Sequence, residues 1–212
     1  MLAHGYGGSQ FGMGEIAEEL AKRGYGVIIP AMPGHDNRTD ETCGFASKEA
    51  KVILESVKWI REKYGKDTKV VLAGISMGGA ACWLAAEQDP TIHAVVTEGC
   101  FARLEPATKS WFNRKAPGAS TYLAPVIWFA KRMSGVDPAD INPVEAAAKW
   151  KGKPALVIHG DCDTLFPVQN GKELADASGA ELLVVKGATH AHCSDPDLKG
   201  YVDRMAKLAD QP

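Results

Sequence analysis

Apolar residues along this chain fall into two alternating patterns. The first is a set of short, nearly unbroken apolar runs. These are Met1–Ala3, Tyr25–Ile29 (stopped by Pro30), Val70–Ile75, Ile92–Glu98, Ala155–His159 and Glu181–Val185. Runs of this length without in-out alternation predict strands buried on both faces. The second pattern has apolar positions three and four residues apart. It predicts a helix over Gln10–Arg23, with Ile16, Ala17 and Leu20 on one face and Gly24 at the end. Ala46–Tyr64 repeats it with Val52, Ile53, Val57 and Ile60, capped by Gly65. Further helices are predicted from Ser76 to about Asp89, over Val168–Ala177 and over Asp195–Ala209. Strands alternating with helices predict an α/β fold, a doubly wound and mostly parallel sheet covered on both faces.

Arg103–Gly152 breaks the alternation. It contains no convincing strand, several prolines, a helix-like stretch from about Tyr122 to Met133, and the aromatics Trp111, Phe112, Tyr122, Trp128 and Phe129. Two expectations stand side by side. One is a surface excursion packed on the sheet edge. The other is a small lid, with Trp111, Phe112, Tyr122 and Trp128 lining an apolar substrate pocket. In either case residues 1–212 read as a single domain with 103–152 inserted in it, since no internal repeat or low-complexity linker divides the chain.

Bulk properties narrow the function classes. The chain has 212 residues and a net charge of −2, with no basic stripe for nucleic acid and no acidic block. No apolar run is long enough to span a bilayer, and no cationic, apolar signal segment precedes the first strand. Five cysteines without paired CxxC spacing fit a reduced, cytoplasmic protein.

The chemistry concentrates at the carboxyl ends of the predicted strands, where open parallel sheets bind ligands. The Val70 strand runs into GISMGG, a tight strand-turn-helix in which Gly74 and Gly78 leave room for close backbone contacts and Ser76 projects its hydroxyl. Alone, such a turn is equally the ordinary start of a βα unit. The other rim residues supply context. His4 and Gly5 open a glycine-rich loop, HGYGGS. Asp161, Cys162 and Asp163 follow ALVIH, and Thr189, His190 and His192 follow ELLVV. Serine, carboxylate and histidine thus share one rim in the chain order Ser, Asp, His. A serine hydroxyl needs a base to take its proton, and the base needs a carboxylate to orient it. Backbone N–H groups must meet the developing oxyanion, and those of Met77 and Tyr6 are placed for this. Losing one such donor costs about 3 kcal/mol of transition-state stabilisation.

Taken together, HG at His4–Gly5, GISMGG around Ser76, HGDCDTLFPV around Asp163 and GATH ending at His190 resemble a serine hydrolase of the α/β-hydrolase superfamily. NPVEAAAKWKGKPALVIHGDCD is similar to small bacterial carboxylesterases and serine-aminopeptidase-like lipases. The resemblance implies Asp163 as the acid, because the family places it after HGxxD and shortly before a proline, here Pro167. Asp161 then serves the turn, and Glu98 is the second competitor, since some lipases of the superfamily carry the acid at that strand end. It implies His190 as the base, with His192 a neighbour, and no cofactor or metal. His4 shapes its loop, while His35, His93 and His159 read as structural. A metal site at His190, His192 and Cys193 lacks a second ligand cluster. Cys162 reads as a small buried filler, and Asp36–Glu41 as a solvated loop.

The implied activity is hydrolysis of short- to medium-chain carboxylic esters, a small-molecule ester being the partner. An aminopeptidase-like amide hydrolase is the nearest enzymatic rival, and a non-catalytic ligand-binding member of the fold is the rival from another class. Relatives carry two strands ahead of the HG strand that this chain lacks. The Tyr25–Ile29 run is therefore expected at a bare sheet edge, either in a minimal hydrolase that forms a homodimer along that edge or in a truncated one with little activity.

Overall fold

The computed structural model describes residues 1–211, the side chains of Val126 and Ala130 excepted. Five strands form one parallel sheet in sequence order: β1 (Leu2–Ala3), β2 (Val71–Ile75), β3 (Ala94–Glu98), β4 (Ala155–Gly160) and β5 (Glu181–Val185). Register aligns the strand ends. Ile75 lies beside Glu98, and Glu98 beside Ile158, so whatever follows β2, β3 and β4 emerges on one rim.

Alternate strand residues serve opposite faces. Leu72, Val95 and Val157 pack into a core with helices α2 (Ser47–Tyr64), α3 (Met77–Gln88), α6 (Pro143–Lys149) and α7 (Gln169–Ser178). Ala73, Val96 and Ile158 face the other way, onto α1 (Gly14–Lys22) and α8 (Leu198–Ala209). Every residue of β3 is buried, as expected of a strand covered on both faces.

The Tyr25–Ile29 run is a correction. It carries no strand. One backbone bond joins it to the sheet, from Leu2 N–H to Ile28 O at 2.8 Å. A ladder needs a partner of comparable length, and β1 has only two residues to offer. The N–H groups of Gly26, Val27, Ile28 and Ile29 find no acceptor among the described residues. An apolar cavity of about 950 Å³ opens beside this segment, walled by Tyr25, Val27, Trp59, Tyr64, Val71 and Met205. It lies toward the amino ends of the strands, away from the rim that carries the chemistry.

Two helices bracket the aromatic excursion: α4 (Leu104–Lys115) and α5 (Leu123–Ser134). The last part of the predicted 103–152 insertion belongs to the core. Ile141, Val144, Ala147 and Trp150 are all buried, and α6 packs against α3 and α7. Val144, Ala147 and the capping Trp150 recur at the three-residue spacing of a core-facing helix face, with Ile141 entering the core from the extended segment before it.

Candidate active site

Ser76 stands between β2 and α3 with φ 54° and ψ −117°, outside the regions open to an unstrained L-residue. The turn is tight because two glycines let main chains touch. A Cβ on Gly74 would overlap the Gly78 carbonyl and Gly79 nitrogen, and one on Gly78 would overlap the carbonyl of Ala3. Serine is thereby held at the amino end of α3, with its own N–H donating to the Glu98 carbonyl at 2.7 Å.

The structure brings Ser76, His190 and Asp163 together from three strand ends. His190 Nε2 accepts from Ser76 Oγ at 3.0 Å, and its Nδ1 donates to Asp163 Oδ2 at 2.7 Å. These partners define the tautomer. The other carboxylate oxygen, Oδ1, accepts the N–H groups of Leu165 and Phe166, each at 2.8 Å. Burial alone would raise the Asp163 pKa. The bonds from His159, His190 and the Phe166 N–H outweigh it and hold the carboxyl well below its ordinary range. His159 is fully buried, donates to the Phe166 carbonyl at 2.7 Å and lies 3.5 Å from Asp163 Oδ2. It pins the acid loop from behind.

The competitors are placed elsewhere. Asp161 accepts the Gly187 N–H at 2.6 Å and so serves the turn. Glu98 is buried and bonded to Cys193 N–H and Tyr201 O–H. His192 is paired with Asp195 on the surface. Among the described residues no group of three or more His, Cys, Asp or Glu is arranged to hold a metal ion. Cys162 corrects an expectation: it is exposed, because the turn after β4 presents it outward while Asp163 turns in.

The HG loop lies against the serine. A Cβ on Gly5 would sit 3.2 Å from Ser76 Cβ. The Tyr6 N–H has no acceptor among the described residues, and the Met77 N–H belongs to the first turn of α3, where intrahelical acceptors run out. Both are available to a ligand oxygen.

Three supports of that loop come from residues not singled out for it. His35 accepts the Gly7 N–H on Nε2 at 2.9 Å and donates from Nδ1 to the Pro33 carbonyl at 3.0 Å. Asp36 is paired with His4 at 3.1 Å and accepts the Gln10 N–H at 3.0 Å. Its side chain is 8% exposed, so the solvated loop expected at Asp36–Glu41 begins with a buried clamp. Phe45, held at φ 49° by Glu49 bonds to Gly44 and Ala46, stacks on Tyr6 at 5.5 Å. In the sequence, His4 and the glycines of HGYGGS pointed to a shaped loop, while nothing there tied His35, Asp36 or Phe45 to it.

The aromatic excursion is arranged differently from the expected pocket. Tyr122 and Trp128 are 80% and 66% exposed, while Trp111 and Phe112 pack edge-to-face on each other at 4.9 Å. The four residues are split between α4, the turn before α5 and α5 itself, whose aromatics Trp128 and Phe129 both lie on an exposed face. The ring that meets His190 comes from the loop after β4 instead, backed by one from the loop after β3. Phe166 lies 5.4 Å from the imidazole and 5.3 Å from Phe101. Helix α4 reaches this loop through Arg114, which donates to the Thr164 and Leu165 carbonyls at 2.9 and 2.7 Å.

Comparison with known proteins agrees with this architecture. The model of the "Alpha/beta hydrolase family" matches residues 1–198. A thermostable monoacylglycerol lipase of Bacillus sp. (strain H-257) is 30% identical over 100 residues. That match spans 45% of this chain and 38% of the lipase, well under half of its length. An esterase of Pyrococcus furiosus superposes with a TM-score of 0.75 at 22% identity, over 98% of this chain and 80% of that one. A structure from work on two metagenome-derived lipolytic enzymes, LipS and LipT, gives 0.72 at 22% identity, over 98% and 91%. At such identity these two speak for the fold.

Proposed function

This chain belongs to the α/β-hydrolase family, and we propose that it is a serine hydrolase cleaving short- to medium-chain carboxylic esters. The observation that carries this is the unbroken hydrogen-bonded line from Ser76 through His190 to Asp163, beside two unengaged N–H groups. Ser76 Oγ attacks the ester carbonyl while His190 Nε2 takes its proton. The carbonyl oxygen becomes negative between the Tyr6 and Met77 N–H groups. His190 then gives the proton to the leaving alcohol, and an acyl-enzyme remains on Ser76. Water repeats the sequence, deprotonated by His190, and releases the acid. Asp163 stays ionised throughout and stabilises the imidazolium.

The family match and the monoacylglycerol lipase relative support ester hydrolysis as the general class. Helix α4, which Arg114 fastens beside the acid loop, is the element we assign to the acyl side of the site. Peptidase action on a free amino terminus calls for an unoccupied carboxylate to bind the ammonium. Asp36, the acidic side chain at the oxyanion loop, has both oxygens engaged. No helix among the described residues is long and apolar enough to cross a membrane.

The test is turnover of p-nitrophenyl esters of increasing acyl length beside an amino-acid anilide. Wild-type protein is expected to cleave the short and medium esters and leave the anilide. Loss of ester turnover in wild type, or preference for the anilide, overturns the assignment.

A further inference from the structure

A buried carboxylate that the reaction does not use sits directly under the triad. Glu98 ends β3 and is 1% exposed, and no Lys, Arg or His pairs with it among the described residues. A carboxylate is costly to bury unless its oxygens are bonded. Here each oxygen has a donor: Oε1 accepts the Cys193 N–H at 2.9 Å, and Oε2 accepts the Tyr201 hydroxyl at 2.8 Å. Burial, and the Glu98 charge after it, push the Tyr201 phenol well up, so it remains a donor.

These partners place Glu98 at a junction. Its main-chain carbonyl accepts from the nucleophile's N–H at 2.7 Å. The next residue, Gly99, has φ 57°, and a Cβ there would lie 3.3 Å from His190 Nδ1 and 3.5 Å from Asp163 Oδ2. The loop carrying His190 is fastened on its leading side to the turn after β4, through Cys162 N–H to Ala188 O at 3.0 Å and Gly187 N–H to Asp161 Oδ1 at 2.6 Å. On its trailing side, three residues past His190, the bond to the Glu98 side chain ties it to β3. Ala191 between them is held at φ 62°, a conformation that needs support from its surroundings.

We propose that Glu98 is a positioning residue for catalysis: it holds the His190 loop in register with Ser76 by anchoring Cys193, while its main chain anchors Ser76 itself. The proposal rests on the serine-hydrolase function above. Glu98 makes no contact with substrate and moves no proton. It acts on the distance between base and nucleophile, so its loss lowers kcat and leaves ester binding, read as KM, nearly unchanged.

The test uses the full chain and one short p-nitrophenyl ester, with Ser76→Ala as reference. Glu98→Met keeps the volume and removes the acceptor; kcat is expected to fall by about tenfold or more with KM within about twofold. Glu98→Gln restores an acceptor toward Cys193, and kcat is expected within about threefold of wild type. Tyr201→Phe removes the other bond, lowering the melting temperature while keeping kcat within about twofold. That separates positioning from loss of structure. If Glu98→Met does not fold, Cys193→Pro deletes the same bond from the loop side, with the same expected fall in kcat. A folded Glu98→Met or Cys193→Pro with wild-type kcat overturns the proposal, as does a Gln variant that falls as far as Met. If Ser76→Ala itself retains full turnover, the serine-hydrolase function fails first.

Discussion

Gly78 packs its α-carbon against the carbonyl oxygen of Ala3, so closely that a single added methyl group would overlap it. This contact joins the nucleophile turn to the strand that leads into the oxyanion loop. Serine and oxyanion donors are therefore set by one backbone approach. Gly78→Ala is expected to destabilise the protein by about 1–3 kcal/mol through overpacking. It is also expected to lower kcat by about a hundredfold as the two parts separate. Gly12→Ala, where nothing lies within 4 Å, should do neither. Thermal melts and ester turnover on both variants check this.

His35 holds the Gly7 N–H and so the far side of the oxyanion loop. Its removal leaves the triad untouched and loosens the donor at Tyr6. His35→Ala is expected to lower kcat by about tenfold with little change in KM, a fraction of what deleting an oxyanion donor costs. Steady-state kinetics on a single ester decide it. A KM effect without a kcat effect contradicts the clamp.

Arg114 reaches from α4 to the Thr164 and Leu165 carbonyls. If α4 bounds the acyl pocket, Arg114→Ala widens it. KM for the longer acyl esters is then expected to change by about twofold to fivefold while the acetyl ester is unaffected. An equal change for every ester contradicts a pocket role for α4.

Asp163 carries the pH dependence. Its folded pKa lies below the ordinary value of 3.8 because its hydrogen bonds outweigh burial. The folded state thus binds this proton less readily than the unfolded state. The stabilisation is fully present above the ordinary carboxylate value and is lost as pH falls toward the lowered folded one. Chemical denaturation of wild type and Asp163→Asn from about pH 5 downward should show the wild-type advantage shrinking with acid. An advantage that grows with acid contradicts the direction of the shift.

Strands β2 to β5 were legible because each is an unbroken apolar run. Ser76 was legible because the glycines at 74 and 78 announce a turn that no other residues could make. Place after strand ends brought several acids and histidines to one rim, and it was the family resemblance that singled out Asp163 and His190, the two the fold sets beside Ser76. What local pattern could not reveal is pairing across the chain. The Tyr25–Ile29 run has strand composition but no ladder to join. Phe166 meets His190, with Phe101 packed behind it, from loops whose apolar content looked like ordinary core. Glu98 reads as a polar residue at a strand end, and only the fold shows Cys193 and Tyr201 closing on its oxygens. Tyr122 and Trp128 looked like pocket residues by type, yet type says nothing of the side of a helix that faces out.

The most direct test of the central claim is to trap the acyl-enzyme. Wild-type protein is mixed with excess p-nitrophenyl ester, quenched in acid within the first turnovers, and analysed by intact and peptide mass spectrometry. An added acyl mass on the peptide holding Ser76, absent in Ser76→Ala together with turnover, is the expected result. An adduct on another residue, or turnover that survives in Ser76→Ala, would contradict the mechanism.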